Sequence, residues 1–115
     1  MENPEPGGEL ESRLTALERD LRQGGFAQVL FNARGVGLAD IEDMLIAVRA
    51  RRAQDYYVRA IRLALDDKSG YQAFLADWHG ADGLALRDKL QLLSIEYLTG
   101  EPSLMAEILA RREAP

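Results

Sequence analysis

The side chains best suited to acid–base chemistry are few in this sequence. His79, between Trp78 and Gly80, is the only histidine. A histidine that acts as a general base needs a nucleophile or a carboxylate arranged around it. Asp77 and Asp82 lie close to it in sequence, but both are equally suited to capping a helix or turning the chain. We therefore expect His79 to be an ordinary residue at a helix end.

The sequence also lacks the ligand pairs of a transition-metal site and a complete phosphate-binding motif. The chain has no cysteine, and its single histidine cannot form the paired spacing that transition-metal sites require. Gly35-Val36-Gly37 resembles the opening of a phosphate-binding loop, but no strand precedes it and no Gly-Lys-Ser/Thr follows. We predict that the protein is not an enzyme and holds no metal and no cofactor.

The basic side chains are concentrated in one part of the sequence. Five arginines lie within fourteen residues: Arg49, Arg51, Arg52, Arg59 and Arg62. The last three can share one face of a helix, which could contact a nucleic acid or an acidic partner. Arginines in this arrangement more often pair with nearby acids such as Asp55 on a solvated helix surface.

Acidic residues are spread along the rest of the chain and outnumber the basic ones. The net charge is −5, and residues 1–20 and 66–115 each contribute −4, whereas residues 21–65 contribute +3. A surface that neutralises phosphates would normally make the domain basic, so the overall sign disfavours direct nucleic-acid binding. An acidic surface suits solubility and a basic partner.

These side chains must be positioned by helices, because apolar residues recur at helical spacing and no sustained alternation indicates strands. With 115 residues and 47% apolar content, the chain suits one domain. We predict an all-α fold of six to seven short helices in one compact domain over residues 10–112, after a disordered leader at residues 1–9.

Glycines, prolines and charged residues predict where the individual helices begin and end. The first helix should end at Gly24-Gly25, and a short second one near Asn32. Asp40 should cap a helix that ends at Arg51-Arg52. The remaining expected elements are a helix at 54–65 with Leu65 inward, a turn at 66–70, a short helix ending near Gly80, a helix ending at Gly100, and a last helix after Pro102.

The sequence also bears on where the protein is found. The acidic, proline- and glycine-rich start cannot be a secretory signal. The longest apolar stretches fall far short of the ~20 residues that a membrane-spanning helix needs. We expect a cytoplasmic protein that does not contact the membrane.

The segment Gly24-Gly25-Phe26-Ala27-Gln28-Val29-Leu30-Phe31-Asn32 resembles the signature of a known family. It is similar to the small acidic bacterial proteins typified by DNA mimic protein 19, which carry a Gly-Gly-Phe-x-Gln-x-Phe-x-Asn type signature after a first helix. The resemblance spans about residues 10–110. We expect the signature residues to have structural roles. The glycines should allow a sharp reversal of the chain, Phe26 and Phe31 should lie in the core, and Asn32 should hydrogen-bond to main-chain amides of the loop.

The resemblance implies a protein whose carboxylates imitate the phosphates of duplex DNA. The expected partner is then a basic DNA-binding protein, for example a helix-turn-helix regulator, whose DNA-binding surface would be occupied. The acidic ends of this chain supply the carboxylates for such a surface: Asp66, Asp67, Asp77, Asp82, Asp88, Glu96, Glu11, Glu18 and Asp20. Asp88 and Glu96 should face the same way on one helix, about 12 Å apart.

Two other functions remain open from the sequence. An immunity or antitoxin-like inhibitor of a toxin enzyme needs the same compact acidic helical surface. A nucleic-acid binder would use the arginines at 49–62 instead. The oligomeric state is not readable from the residues.

Overall fold

The computed structural model describes residues 6–113, with side chains described for residues 9–110. Within this range the chain forms six α-helices, one 3₁₀ helix and no strand, which confirms the predicted all-α class. The helices are α1 (Pro6–Ala33), α2 (Leu38–Ala47), α3 (Arg51–Asp66), α4 (Lys68–Ala76), α5 (Leu84–Thr99) and α6 (Leu104–Glu113), with the 3₁₀ helix Ala81–Gly83 before α5. Residues 1–5 of the expected leader lie outside the described residues, whereas residues 6–9 belong to α1.

Helix α1 is sharply bent at Gly25, where φ is 67° and ψ is −158°. This backbone region is accessible to glycine and to almost no other residue. Asn32 Nδ2 donates a hydrogen bond to Asp20 Oδ2 at 3.1 Å across 12 residues, a separation that a straight helix would stretch to about 18 Å. The arms of α1, residues 6–24 and 26–33, therefore fold back on each other, as the two glycines predict.

Helix α5 packs against this bend and forms the centre of the fold. Its contact with α1 is the most extensive between any two elements described. A Cβ atom on Gly25 would lie 2.6 Å from Cβ of Ser94, so α5 approaches as closely as it does because residue 25 has no side chain. Leu86, Leu90 and Tyr97 of α5 are all buried on the side that faces α1 and α3.

The opposite face of α5 is also apolar, but it is open. Leu92 is 69% exposed, Ile95 58% and Leu98 47%, at spacings of three residues that place them on one side of the helix. Periodicity alone does not distinguish the two faces of such a helix, because apolar residues occur all round it.

Two groups of aromatic side chains fill the core. Tyr97 contacts both Phe26 and Tyr56, with ring centroids 5.6 and 5.2 Å apart. A second group joins α4 to the short arm of α1 and consists of Phe31, Phe74 and Trp78, whose centroids lie 4.8–5.5 Å apart. The signature phenylalanines at 26 and 31 thus each belong to one group, as expected. The tilted and edge-on geometries are those that aromatic pairs prefer.

The boundary between α2 and α3 differs from the prediction. Helix α2 begins after Gly37, so Asp40 lies in its first turn and caps nothing. Arg51 and Arg52 begin α3 instead of ending α2. The reason is a contact distant in sequence: Glu107 of α6 accepts hydrogen bonds from the main-chain N–H of Arg52 and of Ala53, at 2.8 and 3.0 Å.

The turn predicted at 66–70 is also shorter than expected. Helix α3 continues to Asp66, and α4 starts at Lys68, so Asp67 alone separates them. Leu65 was predicted to face inward but is 57% exposed, because the buried side of α3 runs through Ala53, Ala60 and Ala64. Helix α4 ends at Ala76, before the predicted stop near Gly80. The stop of α5 at Gly100 is confirmed.

The end of the described chain matches the prediction of a last helix after Pro102. Ser103 Oγ accepts a hydrogen bond from the Ala106 N–H and so caps α6, which begins at Leu104. Among the described helices, none combines enough length with enough apolar character to cross a membrane.

Candidate functional site

The carboxylates predicted to form an interaction surface divide into two groups. Those with internal roles include both acids in the middle of α1. Glu18 forms an ion pair with Arg22 one turn later. Asp20 accepts the Asn32 hydrogen bond that holds the two arms of α1 together. These contacts engage both carboxylates within the molecule. Both side chains are half-buried, so they remain partly accessible at the surface.

Two further aspartates are occupied by the main chain at the ends of α4. Asp67 Oδ1 accepts from the Gly70 N–H at 2.9 Å and caps the start of the helix. Asp77 Oδ1 accepts from the His79 N–H at 3.2 Å beyond its end. A helix N-cap such as Asp67 typically contributes about 1 kcal/mol to stability. Asp67 therefore has a structural role as the N-cap of α4.

Glu96 on α5 is engaged with α3. Its Oε2 accepts a hydrogen bond from the Tyr56 hydroxyl at 2.7 Å and lies 3.7 Å from the Arg59 guanidinium. Arg59 also pairs with Asp55 at 2.7 Å. Asp88 and Glu96 thus share a helix but differ in surroundings, because only Glu96 has its charge partly neutralised.

The remaining predicted carboxylates are presented to solvent. Asp66, Asp82 and Asp88 are exposed and make no hydrogen bond or ion pair to any described residue. Glu11 is exposed on the long arm of α1, and its main-chain carbonyl accepts from the Thr15 hydroxyl. Asp66, Asp82 and Asp88 therefore present carboxylates that an electrostatic partner can contact.

Helix α2 adds an acidic feature that the sequence analysis missed. It carries Asp40, Glu42 and Asp43 and no base. Asp40 and Asp43 are exposed, lie three residues apart on one face, and have no hydrogen bond or ion pair to any described residue. In the net charge of residues 21–65, the arginines that follow α2 cancel its acidic residues. The net charge of each helix taken separately would have revealed the acidic helix.

The arginines at 49–62 do not form one free basic face. Arg52 is half-buried: its Cζ lies 4.9 Å from the centroid of the Tyr56 ring and 4.7 Å from that of Tyr97. Its Nη1 donates to the Pro102 carbonyl at 2.9 Å. Arg59 is paired with acids, as described above. Of the three arginines predicted to share a helix face, Arg52 packs on aromatic rings and Arg59 pairs with acids. The pairing of Arg59 with Asp55 is the contact that the alternative prediction gave.

The other residues that the sequence suggested for chemistry do not come together in one site. His79 is exposed, and its described contact is the main-chain N–H to Asp77. Among the described residues, no three His, Cys, Asp or Glu side chains come together as metal ligands would. Residues 34–37 form the predicted loop, and Val36 at its tip is 88% exposed.

A groove runs between the two arms of α1 and the start of α2. Its volume is about 290 Å³, and its walls include Leu17, Val29 and Met44. Asp20 from the long arm and Asp40 from α2 both line it. The groove therefore brings one of the predicted carboxylates together with one that the prediction lacked.

The signature residues at 24–32 build the frame of this groove. Gln28 Nε2 donates to Asn32 Oδ1 at 3.0 Å, while Asn32 Nδ2 donates to Asp20. Asn32 was expected to bond loop amides and instead bonds side chains on both arms. The sequence could not show this, because Asp20 becomes a neighbour only after the chain reverses at Gly25.

Comparison with known protein families identifies a relationship. A family model described as DMP19-like protein matches residues 13–112, from within the long arm of α1 into α6. No curated protein and no solved structure matches the chain.

Proposed function

Because the chain belongs to the DMP19-like protein family, we propose that it is a DNA mimic that occupies the DNA-binding surface of a basic protein. The observation that carries the proposal is a set of exposed carboxylates, held on helices, without a hydrogen bond or ion pair to any described residue. They are Asp40, Asp43, Asp66, Asp82 and Asp88.

Electrostatics supports this role for rigid carboxylates. A DNA-binding face is preorganised for rows of anions, and it releases counterions when they arrive. Carboxylates fixed on helices lose little further freedom on binding, since the backbone that carries them is already ordered. The partner that fits is a basic DNA-binding protein, with a helix-turn-helix regulator as one example.

The proposal includes a non-enzymatic mode of action. His79 lies in the exposed turn after α4, and its described contact is the main-chain N–H that donates to Asp77, which gives no support to an acid–base role. The two most central arginines of the 49–62 cluster pack on aromatic rings or pair with acids. These contacts favour a protein partner over direct binding of a nucleic acid.

Capture of the partner from the host tests the proposal. The tagged full chain should retain a basic DNA-binding protein at low salt. Duplex DNA should displace that protein, and raising the salt from about 50 to 200 mM should weaken binding steeply, because counterion release drives it. A complex that survives high salt and ignores DNA would contradict mimicry. If the captured protein were an enzyme that this chain inhibits, an immunity-like role would replace DNA mimicry as the proposed function.

A further inference from the structure

We propose that the groove between the arms of α1 and the start of α2 receives an arginine or lysine side chain of the basic partner. The inference rests on the proposed function, since it specifies how such a partner would be held. It starts from the combination of apolar walls and two carboxylates in a space of about 290 Å³.

The size of the groove limits its occupant. Pockets for drug-sized ligands measure about 300–1,000 Å³, so this one is at the lower limit and suits one side chain. Leu17 and Met44 in its walls are 6% and 5% exposed and give a firm apolar surface. Long basic side chains bury their methylene stems on such surfaces while the charged head stays at the rim.

The charged atoms of the groove favour a cation at that rim. Asp20 and Asp40 reach it from different elements. Asp20 uses Oδ2 to accept from Asn32 and retains further acceptor capacity. Asp40 makes no hydrogen bond to any described residue. A guanidinium could satisfy both carboxylates at once, because its donors are arranged in a fork.

One basic side chain at the groove opposes this occupant. Arg13 also lines the groove, so its charge offsets one of the two carboxylates and leaves a net negative site. This gives the inference two opposite consequences. Removing the Asp40 charge should weaken binding of a cationic side chain, whereas removing the Arg13 charge should strengthen it.

Nuclear magnetic resonance of the full ¹⁵N-labelled chain tests the site with a defined probe. The probe is N-acetyl-arginine methylamide, titrated at constant ionic strength, and its control is the citrulline analogue, which has the same shape but no charge. The amides of Ala16, Gly37 and Met44 should shift saturably with the arginine probe, and the citrulline probe should leave them in place.

Three variants assign the effect to the groove. Asp40→Asn should weaken binding of the arginine probe about three- to fivefold, the size of one exposed charge contact. Arg13→Gln should strengthen it by a similar factor. Asp43→Asn removes an equal charge from the same helix outside the groove and should change the affinity much less.

The outcomes separate this inference from the proposed function. Scattered shifts, equal responses to the citrulline probe, or equal effects of Asp40→Asn and Asp43→Asn would overturn the groove site. If that happened while DNA still displaced the captured partner, mimicry would stand without this pocket. Saturable binding of the arginine probe, combined with a partner that DNA cannot displace, would instead support the pocket and remove the mimicry.

Discussion

The Ser94 hydroxyl accepts a hydrogen bond from the main-chain N–H of Phe26 at 2.8 Å, inside the core. The same hydroxyl donates to the Leu90 carbonyl at 2.6 Å, so it links the bend of α1 to the backbone of α5. Bending at Gly25 interrupts the helical hydrogen bonds of α1, and Ser94 satisfies one of the donors thus freed. Gly25 is therefore needed for two reasons: its backbone conformation disfavours other residues, and α5 packs against it with no room for a side chain.

Replacing Gly25 with alanine should destabilise the protein strongly. The φ of 67° with ψ of −158° costs a non-glycine residue about 1–3 kcal/mol, and the new Cβ would lie 2.6 Å from Cβ of Ser94. We expect the free energy of unfolding to fall by about 3 kcal/mol or more when strain and overpacking combine. Urea denaturation followed by circular dichroism measures it.

Gly24→Ala is the matched control for that change. A Cβ at Gly24 would lie 2.7 Å from Cβ of Gln28, so this variant is also crowded, but the backbone of Gly24 is helical and suits alanine. The expected loss in the free energy of unfolding is about 1–2 kcal/mol, smaller than that for Gly25→Ala, because overpacking remains and backbone strain does not. Equal losses for Gly24→Ala and Gly25→Ala would show that the bend does not depend on the conformation of Gly25.

Local sequence patterns predicted much of this fold because the features involved are local. The reversal at Gly24-Gly25, the loop at 34–37 and the stop at Gly100 each follow from glycines beside apolar stripes. The family signature likewise predicted the two core phenylalanines. The exposed state of Asp66, Asp82 and Asp88 was less determined, since acids in turns and caps have the same sequence pattern as acids on a binding face.

Contacts between distant residues account for the errors. Arg51-Arg52 was assigned to a helix end because cations favour that position. The acceptor that starts a helix there, Glu107, is 55 residues from Arg52 and belongs to α6. Likewise, Asn32 finds Asp20 only after the reversal. For the acidic surface, no sequence rule distinguishes Glu96, which is hydrogen-bonded to Tyr56, from Asp88 on the same helix.

Removing the Glu107 carboxylate should weaken the attachment of α6 and the start of α3. Glu107 accepts from two main-chain N–H groups at 2.8 and 3.0 Å, and α3 has no other side-chain cap. Since hydrogen bonds to charged groups contribute about 1.5–3 kcal/mol, Glu107→Ala should lower the free energy of unfolding by about 2 kcal/mol. Glu101→Ala, at an exposed position, is the control and should change denaturation little.

Tyr97→Phe should leave stability unchanged or raise it. The Tyr97 hydroxyl is buried and has no hydrogen-bond partner among the described residues, and an unsatisfied buried polar group costs about 1–3 kcal/mol. Tyr57→Phe should behave oppositely, because its hydroxyl donates to the Leu38 carbonyl at 2.7 Å. Thermal melts of both variants compare the two hydroxyls, and a lower melting temperature for Tyr97→Phe would reveal a partner for that hydroxyl.

Alkaline pH should destabilise the fold through its buried tyrosines. Burial raises the pKa of Tyr57, Tyr71 and Tyr97 above the ordinary value, and nearby Glu42 and Glu107 add to the effect for Tyr57 and Tyr97 respectively. The folded state therefore holds these protons more tightly than the unfolded chain does. Their contribution to stability is full below about pH 10, the pKa of an unfolded tyrosine, and is lost as the pH rises toward the folded values.

Denaturant titrations at about pH 9 and pH 11 measure this loss, on either side of the ordinary tyrosine pKa. Ultraviolet absorbance of tyrosinate reports the ionisation in the same samples. Tyr57→Phe should flatten the alkaline decline, because it removes one of the three shifted groups. If the tyrosines of the folded protein ionised over this range while the free energy of unfolding stayed constant, the result would contradict their burial.

Neutralising the exposed carboxylates should weaken partner binding without unfolding the protein. Asp82→Asn combined with Asp88→Asn removes two charges that contact no described residue. Each carboxylate that pairs with a cation of the partner steepens the fall of log affinity with log salt, because salt screens exposed charges. The double variant should therefore bind the captured partner more weakly and with a shallower slope, as measured by titration at several salt concentrations.

Asp67→Asn provides the contrasting control. It removes one charge, but from a carboxylate that caps α4 through the Gly70 N–H, so it should cost less affinity per charge. If binding depended only on net charge, Asp67 would matter as much as Asp82 or Asp88. If neither the affinity nor its salt slope changed in the double variant, these two positions would lie outside the interface. Asp40, Asp43 and Asp66 would then remain as the proposed contacts, and Asp40 with Asp43 on α2 is the next pair to neutralise.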